Sequence, residues 1–230
     1  MRRVVQNLEG EYGVPLNERD LDPLDTLVET ILSQQNSSAS TRKVFAELKR
    51  RFPTWEEVLA APVEEIEEAI RAGGLARMKA ARIKQILEAI HTERGDFDLR
   101  FLEAMEPEDA LTYLTRFPGV GPKTARCTLL FSCEMALFPM DVHIFRICER
   151  LGLLTPKTPD ERAHRLIAEL VPSGKHYSAH VNLIHHGRKV CRPTTPRCSV
   201  CCLIDYCPTG QERLLTDDSG DPRLSYPTNT

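Results

Sequence analysis

Apolar positions recur with the period of an α-helix along almost the whole chain. Runs with three- and four-residue spacing begin at Leu24, Ile83, Ile144 and Ala163. The stretch TARCTLLF, residues 124–131, is apolar on nearly every side and predicts a buried central helix. No segment alternates as a strand does, and most prolines fall between the periodic runs or at their starts. The pattern predicts an all-α protein with roughly ten short helices.

Composition places the chain among globular proteins. Its 230 residues are 41% hydrophobic and 27% charged, enough for one large domain or two small ones. No run reaches the roughly 18 apolar residues of a membrane span, and MRRVVQNLEGEYG lacks the pattern of a signal or transit peptide. We therefore expect a cytoplasmic protein, nucleoid-associated if prokaryotic, with no membrane partner. In that compartment clustered cysteines bind metal more often than they form disulfides.

The charge is unevenly distributed. The formal net charge is -3, yet basic residues concentrate in 77–84, 121–126 and 187–197, and acidic residues in 64–70 and 217–221. A local basic surface can bind phosphate even on a neutral or acidic protein. Three solvated basic faces would give the same pattern.

Five of the eight cysteines lie in CRPTTPRCSVCCLIDYC, residues 191–207. Thiolates are soft ligands for zinc or for iron–sulfur clusters. A structural zinc site usually has two C-x2-C pairs separated by a longer arm, whereas this loop has one pair. The compact loop favours a cube-shaped cluster, with zinc as the alternative and Cys202 as a bystander. Four cysteines have the spacing C-x6-C-x2-C-x5-C: Cys191, Cys198, Cys201 and Cys207.

A hairpin between two helices is predicted in LTRFPGVGPKTARCTLLF, residues 114–131. Gly119 and Gly121 flank Val120 and permit positive φ and close approach of a ligand to the backbone. Pro122 suits the first position of the next helix. Exposed N–H groups at such a turn form an anion site, here for a DNA phosphate. A tight helical hairpin without a ligand would use the same residues.

Two side chains near this hairpin could carry chemistry. Lys123 lies at the positive end of a helix dipole, which favours the neutral, nucleophilic amine; a surface lysine that contacts phosphate fits equally well. Asp141, eighteen residues later, directly precedes an amphipathic helix in FPMDVHIFRIC. Asp is a preferred N-cap, and a capping carboxylate is held rigidly. The pair suits attack at an acetal-like carbon.

With these residues in hand, the sequence resembles the helix-hairpin-helix DNA glycosylases of the endonuclease III family. FPGVGPKTA, MDVHIFR, HGRKVC and the cysteine spacing carry the resemblance, which spans residues 20–207. It implies an all-α fold of two lobes with a DNA cleft between them. A six-helix bundle with the helix-hairpin-helix would cover 20–135. The iron–sulfur cluster domain would combine 1–19 and 136–208, followed by a disordered tail, 209–230.

The resemblance also implies an activity. Lys123 matches the family's Schiff-base lysine, Asp141 its essential aspartate, and the four cysteines the ligands of a [4Fe-4S] cluster. The protein would be a bifunctional DNA glycosylase and AP lyase in base excision repair. As a monomer on double-stranded DNA, it would excise oxidised pyrimidines and nick abasic sites by β-elimination. Adenine-specific relatives carry another residue where this chain has Lys123.

Further DNA contacts follow from the same resemblance. Gln35 in LSQQNSS would fill the gap left by the extruded base, and Leu75 in GGLARMKAARI would wedge the duplex. His143 would contact DNA near the cleft. Gln35 could instead be a polar residue that ends an apolar helix, and Leu75 the hydrophobic contact of a C-cap. Four basic residues are expected to face phosphates: Arg188, Lys189, Arg192 and Arg197.

Two other functions remain open. Val142 replaces the family's usual threonine beside Asp141, so the preferred base is the least certain expectation. A glycosylase of the same fold for mismatched thymine or uracil is one alternative. A non-catalytic DNA-binding module stapled by zinc is the other, and it would be colourless and form no covalent adduct with abasic DNA.

Overall fold

The computed structural model describes residues 1–17, 21–36 and 38–218, and over these ranges the protein is helical with no β-strand, which confirms the all-α prediction. None of the described helices is long and apolar enough to cross a membrane. The α-helices are α1 (Arg2–Tyr12), α2 (Pro23–Ser33), α3 (Ser38–Arg51), α4 (Trp55–Ala60), α5 (Val63–Ile70), α6 (Ala76–Arg94), α7 (Pro107–Thr115), α8 (Pro122–Ser132), α9 (Val142–Arg150), α10 (Asp160–Leu170), α11 (His176–Lys189) and α12 (Pro208–Asp218). Four 3-10 helices cover Arg71–Gly73, Arg100–Ala104, Cys198–Val200 and Ile204–Tyr206.

The periodic runs become the buried faces of these helices. In α2 the predicted face from Leu24 to Leu32 has no exposed area at its apolar positions, and in α8 every residue from Thr124 to Leu130 is buried. Leu170 differs, because it is the last residue of α10 and is 40% exposed. Periodicity thus located the buried face of α2 but did not show that the last apolar position of α10 is exposed.

The chain divides into two compact units. The hairpin unit is Asn17–Pro139, and the cysteine unit is Met1–Leu16 together with the chain from Met140 onward. The predicted boundaries lay at 19/20 and 135/136. Within its described residues the hairpin unit contains seven α-helices, α2 to α8, where six were expected. Pro62 is the N-cap of α5 and separates it from the short α4, since proline interrupts a continuous helix.

The hairpin unit has one apolar core, in which α2 packs against α8 and α5 against α6. Local hydrogen bonds define the ends of its helices. Asp22 Oδ1 accepts from the backbone N–H groups of Leu24 and Asp25 at 2.9 and 3.0 Å and so caps α2. Trp55 Nε1 donates to Asp25 Oδ1 at 2.9 Å, which ties α4 to the start of α2.

In the cysteine unit, α11 packs against both α1 and α9. Glu9 of α1 accepts from Ser178 Oγ at 2.6 Å and lies 3.0 Å from Lys175 Nζ. Gly187 explains the close approach of α9, because a Cβ at this position would lie 2.7 Å from His143 Cβ. The glycine of the HGRKVC motif is thus needed for helix packing.

The disordered tail predicted from residue 209 is wrong for its first part, which forms α12. This helix starts beside the cysteine loop. The Gly210 N–H donates to Cys207 Sγ at 3.3 Å, and a Cβ at Gly210 would lie 2.9 Å from Ile204 Cδ1. Tertiary contacts therefore order a segment whose composition predicted disorder. Residues 219–230 lie outside the described ranges.

Candidate active site and cysteine cluster

In the hairpin the two glycines are exposed to solvent and the residue between them is buried. Gly119 has φ 77° and is exposed, as is Gly121, the N-cap of α8. Val120 is 4% exposed, and its N–H donates to Phe117 O at 3.1 Å. Val120 was expected to contact DNA, but its side chain is in the core and its N–H is used. It anchors the turn from inside.

Two other helices hold the outer side of this turn. A Cβ at Gly119 would lie 2.6 Å from Arg82 Cδ, so the side chain of Arg82 needs a glycine there. Gln34 Nε2 donates to Gly119 O and to Thr124 Oγ1, both at 3.3 Å. Arg82 Nη1 lies 3.5 Å from Gln34 Oε1. Sequence reasoning missed Gln34 and Arg82; the only signal was the basic stretch 77–84.

Lys123 is the second residue of α8 and its side chain is exposed. The N-terminal N–H groups of a helix have no intrahelical partner, so the amine shares this end of α8 with free donors. An anion bound there would lie beside the amine of Lys123. A DNA phosphate bound at this end of α8 would therefore place the sugar to which it is attached close to the amine of Lys123.

Asp141 caps α9, as its sequence position predicted. Its Oδ1 accepts from the backbone N–H groups of His143 and Ile144 at 2.9 and 2.8 Å. Within the described chain both of these bonds use Oδ1, which leaves Oδ2 able to face a positive charge. The next residue, Val142, is 74% exposed. The capping role and a catalytic role are thus compatible in one carboxyl group.

Two arginines connect α9 to the cysteine loop. Arg146 Nε donates to Cys191 O at 3.0 Å and Nη2 to Gly187 O at 2.9 Å. Arg150 Nη1 donates to Cys191 Sγ at 3.2 Å. His143, expected to contact DNA, is half-buried, with Nδ1 3.1 Å from Arg146 Nη2. The helix that starts at Asp141 is therefore tied to the first of the four cysteines.

Gln35 and Leu75 share an unusual backbone conformation. Their φ angles are 57° and 51°, and both side chains are exposed, Leu75 at 47%. A non-glycine residue in this region costs roughly 1–3 kcal/mol, and such residues cluster at functional sites. Leu75 is the N-cap of α6 and directly follows Gly74, the C-cap of the 3-10 helix Arg71–Gly73, so both the wedge and the C-cap contact stay predictions. Sequence alone contained no signal of the strain.

The four predicted ligand cysteines line one hollow. Two donors are directed at their sulfur atoms, in the Arg150 and Gly210 bonds above, and His186 Nε2 lies 3.4 Å from Cys201 Sγ. Hydrogen-bond donors around sulfur stabilise thiolate ligands. Cys202 does not line the hollow, and its carbonyl accepts from Asn7 Nδ2 at 2.9 Å. The residue types around the hollow suit a centre with four thiolates, while no group of three or more such side chains in the described chain is placed to hold a single metal ion.

Burial controls protonation around this hollow. It raises the pKa of Cys201 to about 12, so a bound cation has to displace the proton. Burial also lowers the pKa of His186 to about 4, so its ring is neutral at neutral pH. Its Nδ1 lies 2.8 Å from the Tyr12 hydroxyl. His186 is thus a neutral neighbour of a candidate ligand, a role that the sequence did not show.

The four basic residues expected to face phosphates are all exposed and all belong to the cysteine unit: Arg188, Lys189, Arg192 and Arg197.

Comparison with known proteins identifies the family. Residues 28–173 match the family of HhH-GPD superfamily base excision DNA repair proteins. A protein of Arabidopsis thaliana whose name places it among the DNA glycosylases is 40% identical over 187 residues, covering 80% of this chain and 62% of the plant protein. Endonuclease III of Thermotoga maritima is 30% identical over 193 residues, 84% of this chain and 86% of that protein. Endonuclease III of Synechocystis is 34% identical over 190 residues, 82% of each.

Solved structures show the same fold. An endonuclease III in a non-covalent complex with DNA matches with a TM-score of 0.77 at 24% identity, over 92% of this chain and 95% of that one. A thermostable thymine-DNA glycosylase matches with a TM-score of 0.76 at 18% identity, over 91% and 94%. Together with the family match and the bacterial relatives, this confirms the resemblance seen in the motifs. The chain belongs to the HhH-GPD superfamily of base excision DNA repair proteins, within the endonuclease III family.

Proposed function

We propose that this protein is a bifunctional DNA glycosylase and AP lyase that removes oxidised pyrimidines from duplex DNA. The observation that carries the proposal is the exposed amine of Lys123 in the first turn of α8, directly after a hairpin with exposed glycines. Membership of the endonuclease III family supports it. So does the position of Asp141 as the rigid cap of α9.

DNA binding starts at the hairpin. The exposed backbone at Gly119 and Gly121 and the N-terminus of α8 bind a backbone phosphate without reading the sequence. The damaged nucleotide then turns out of the stack. Gln35 and Leu75, both exposed and both on loops of the hairpin unit, fill the space it leaves.

Lys123 performs the covalent chemistry. Its neutral amine attacks C1′ as the bond to the base nitrogen breaks, and the base leaves with the electron pair and takes up a proton. The nitrogen loses a proton, its lone pair then expels O4′ from C1′, and O4′ takes up a proton, which gives a Schiff base. Removal of a proton from C2′ then expels the 3′ phosphate and cuts the strand. Water hydrolyses the imine and releases the lysine.

Asp141 stabilises the positive charge that develops on the sugar. Breaking the glycosidic bond builds positive charge on the sugar, as in glycoside hydrolysis. The Oδ2 atom of Asp141 stabilises that charge, while Oδ1 remains bonded to the start of α9.

The four cysteines would hold a [4Fe-4S] cluster, and the lining of the hollow and the donors to its sulfur atoms support this assignment. When bound, the cluster supplies structural order to a loop that has little apolar burial of its own. The exposed basic residues of the cysteine unit then present positive charge to DNA phosphates, and this contact has no sequence preference.

Borohydride trapping on a duplex with one abasic site tests the proposal. Wild-type protein should form a covalent complex and nick the strand, and Lys123→Ala should do neither, because no other amine replaces the nucleophile. Lys157→Ala removes an exposed lysine of the other unit and should trap like wild type. Trapping by Lys123→Ala would reject the assignment of the nucleophile.

Two extensions of this experiment define the reaction further. Asp141→Asn keeps the α9 cap, since Asn caps as well as Asp, and should bind DNA but lose most turnover. No complex with wild-type protein, but release of a base, would indicate a purely hydrolytic glycosylase. A panel of lesion duplexes then separates oxidised pyrimidines from mismatched thymine or uracil, for which the exposed Val142 in place of threonine is the relevant observation.

A further inference from the structure

Lys79 is the largest fully buried side chain of the described residues, with 1% of its surface exposed. Its Nζ donates to two backbone carbonyls, Leu32 O at 2.8 Å and Gly73 O at 2.9 Å. Burial lowers the pKa of Lys79 below its ordinary value. A lysine is seldom buried without a specific partner, and here the partners are main-chain atoms. The mechanism above does not use this group.

The two carbonyls belong to the segments that carry the strained residues. Leu32 lies in the last turn of α2, three residues before Gln35. Gly73 ends the 3-10 helix Arg71–Gly73, two residues before Leu75. The backbone N–H of Lys79 also donates to Leu75 O at 3.0 Å. One residue therefore binds both segments and the wedge residue itself.

The segments are in contact where Lys79 joins them. A Cβ at Gly73 would lie 3.3 Å from Val44 Cγ1 of α3 and in van der Waals contact, at 3.5 Å, with Nδ2 of Asn36, the residue after Gln35. In the described chain Gln35 and Leu75 are two of three non-glycine residues with positive φ; Glu134 is the third. Strained conformations persist only when the surrounding structure over-determines them. The Lys79 bonds supply such a constraint to both loops at once.

We propose that Lys79 is a positioning residue that fixes Gln35 and Leu75 as one rigid wedge and thereby makes the protein prefer damaged over intact duplex DNA. The inference rests on the proposed function, because it takes the two exposed residues as the groups that fill the extruded base's place. Because the two side chains are already held in place, binding costs no conformational entropy to order them. This gain in affinity appears only where a nucleotide has left the stack and the two residues can enter its place.

The test compares affinity for two duplexes of one sequence, one intact and one with a tetrahydrofuran in place of the damaged nucleotide. Lys79→Met keeps the length of the side chain and removes both bonds. It should lower the ratio of the affinity for the tetrahydrofuran duplex to the affinity for the intact duplex about ten-fold. The affinity for intact DNA should change less than about two-fold. Lys84→Met is the matched control. Lys84 lies on the same helix and donates to Ala61 O at 2.6 Å, at the end of α4, so its loss should leave the ratio unchanged.

Two further measurements separate positioning from general stability. 2-Aminopurine opposite the tetrahydrofuran reports wedge insertion, and its fluorescence change should be lost in Lys79→Met. Combined with Leu75→Ala, Lys79→Met should add little, since both act through the same wedge. Equal losses on the two duplexes, an unchanged ratio or additive effects would each overturn the proposal.

A second variant covers the case in which Lys79→Met does not fold. Gly73→Ala puts a Cβ 3.3 Å from Val44 Cγ1, which shifts the same carbonyl while Lys79 keeps its bond to Leu32 O, and should lower the affinity ratio several-fold. A native ratio in folded Gly73→Ala would overturn the proposal. Tetrahydrofuran cannot form a Schiff base, so these measurements do not depend on Lys123. Failure of the proposed lyase activity would appear in borohydride trapping alone.

Discussion

The hairpin and the cysteine loop, residues 191–207, reach their functional shapes in different ways. Around the hairpin, Phe117 and Val120 are each 4% exposed, and α8 continues this burial for seven consecutive residues. In the cysteine loop only Leu203 is buried. The loop consists instead of short 3-10 turns, exposed arginines and four thiols around a hollow.

This difference shows what each region needs in order to fold. Apolar burial contributes roughly 25 cal/mol per Å², so the hairpin obtains its geometry from the core beneath it. A segment without a core obtains stability from cross-links or from metal. We therefore expect the hairpin to be independent of iron and the cysteine loop to depend on it.

Removing one thiol should give the largest effect on this comparison. Cys198→Ser should lose most bound iron and lower the thermal stability, because metal binding is coupled to folding of the loop. Hydrogen exchange should show reduced protection in 191–207 and α12 and native protection in α8. Cys202→Ser is the control and should keep its iron, since Cys202 does not line the hollow. Zinc instead of iron and sulfide in wild type would contradict the cluster.

A substitution in the hairpin should give the next largest effect and leave iron untouched. Gly119→Ala introduces a Cβ 2.6 Å from Arg82 Cδ at a φ of 77° and should lower the free energy of unfolding by roughly 2 kcal/mol. Gly95→Ala has a similar φ of 78° and no heavy atom within 4 Å, so it should cost only about 1 kcal/mol. Denaturant titration measures both. Equal losses of unfolding free energy in the two variants would show that the Arg82 side chain moves away from the new Cβ without cost.

The smallest effect should come from the exposed charges of the cysteine loop. Arg192→Ala with Arg197→Ala should preserve the fold and iron content but weaken DNA binding. The slope of log affinity against log salt should fall by about 0.9 for each phosphate that the variant no longer neutralises. Arg162→Ala with Arg165→Ala, on the exposed side of α10, is the charge-matched control. If the slope of log affinity against log salt is the same in both double variants, the cysteine loop is not part of the DNA-binding surface.

Local sequence was sufficient for features that depend on neighbours in the chain. The helical core positions of α2, the N-cap at Asp141 and the start of α8 at Pro122 follow from periodicity and capping rules, and the structure agrees with each. The prediction of a disordered tail was wrong where α12 forms, and the sequence did not show that the Val120 side chain lies in the core. A hairpin motif does not reveal which of its residues faces the core, and the composition of α12 does not reveal that Cys207 and Ile204 pack against its start.

The sequence by itself determined the family, the all-α class, the order of the helices and the four-cysteine spacing, because these depend on residue type and local spacing. Only the tertiary structure decided that Lys79 is buried against two carbonyls, that Gly119 lies under Arg82 and that Gln35 and Leu75 have positive φ. Each of these joins segments far apart in the chain. Their geometry is set by packing and by the need to pair buried polar groups, which no local pattern encodes.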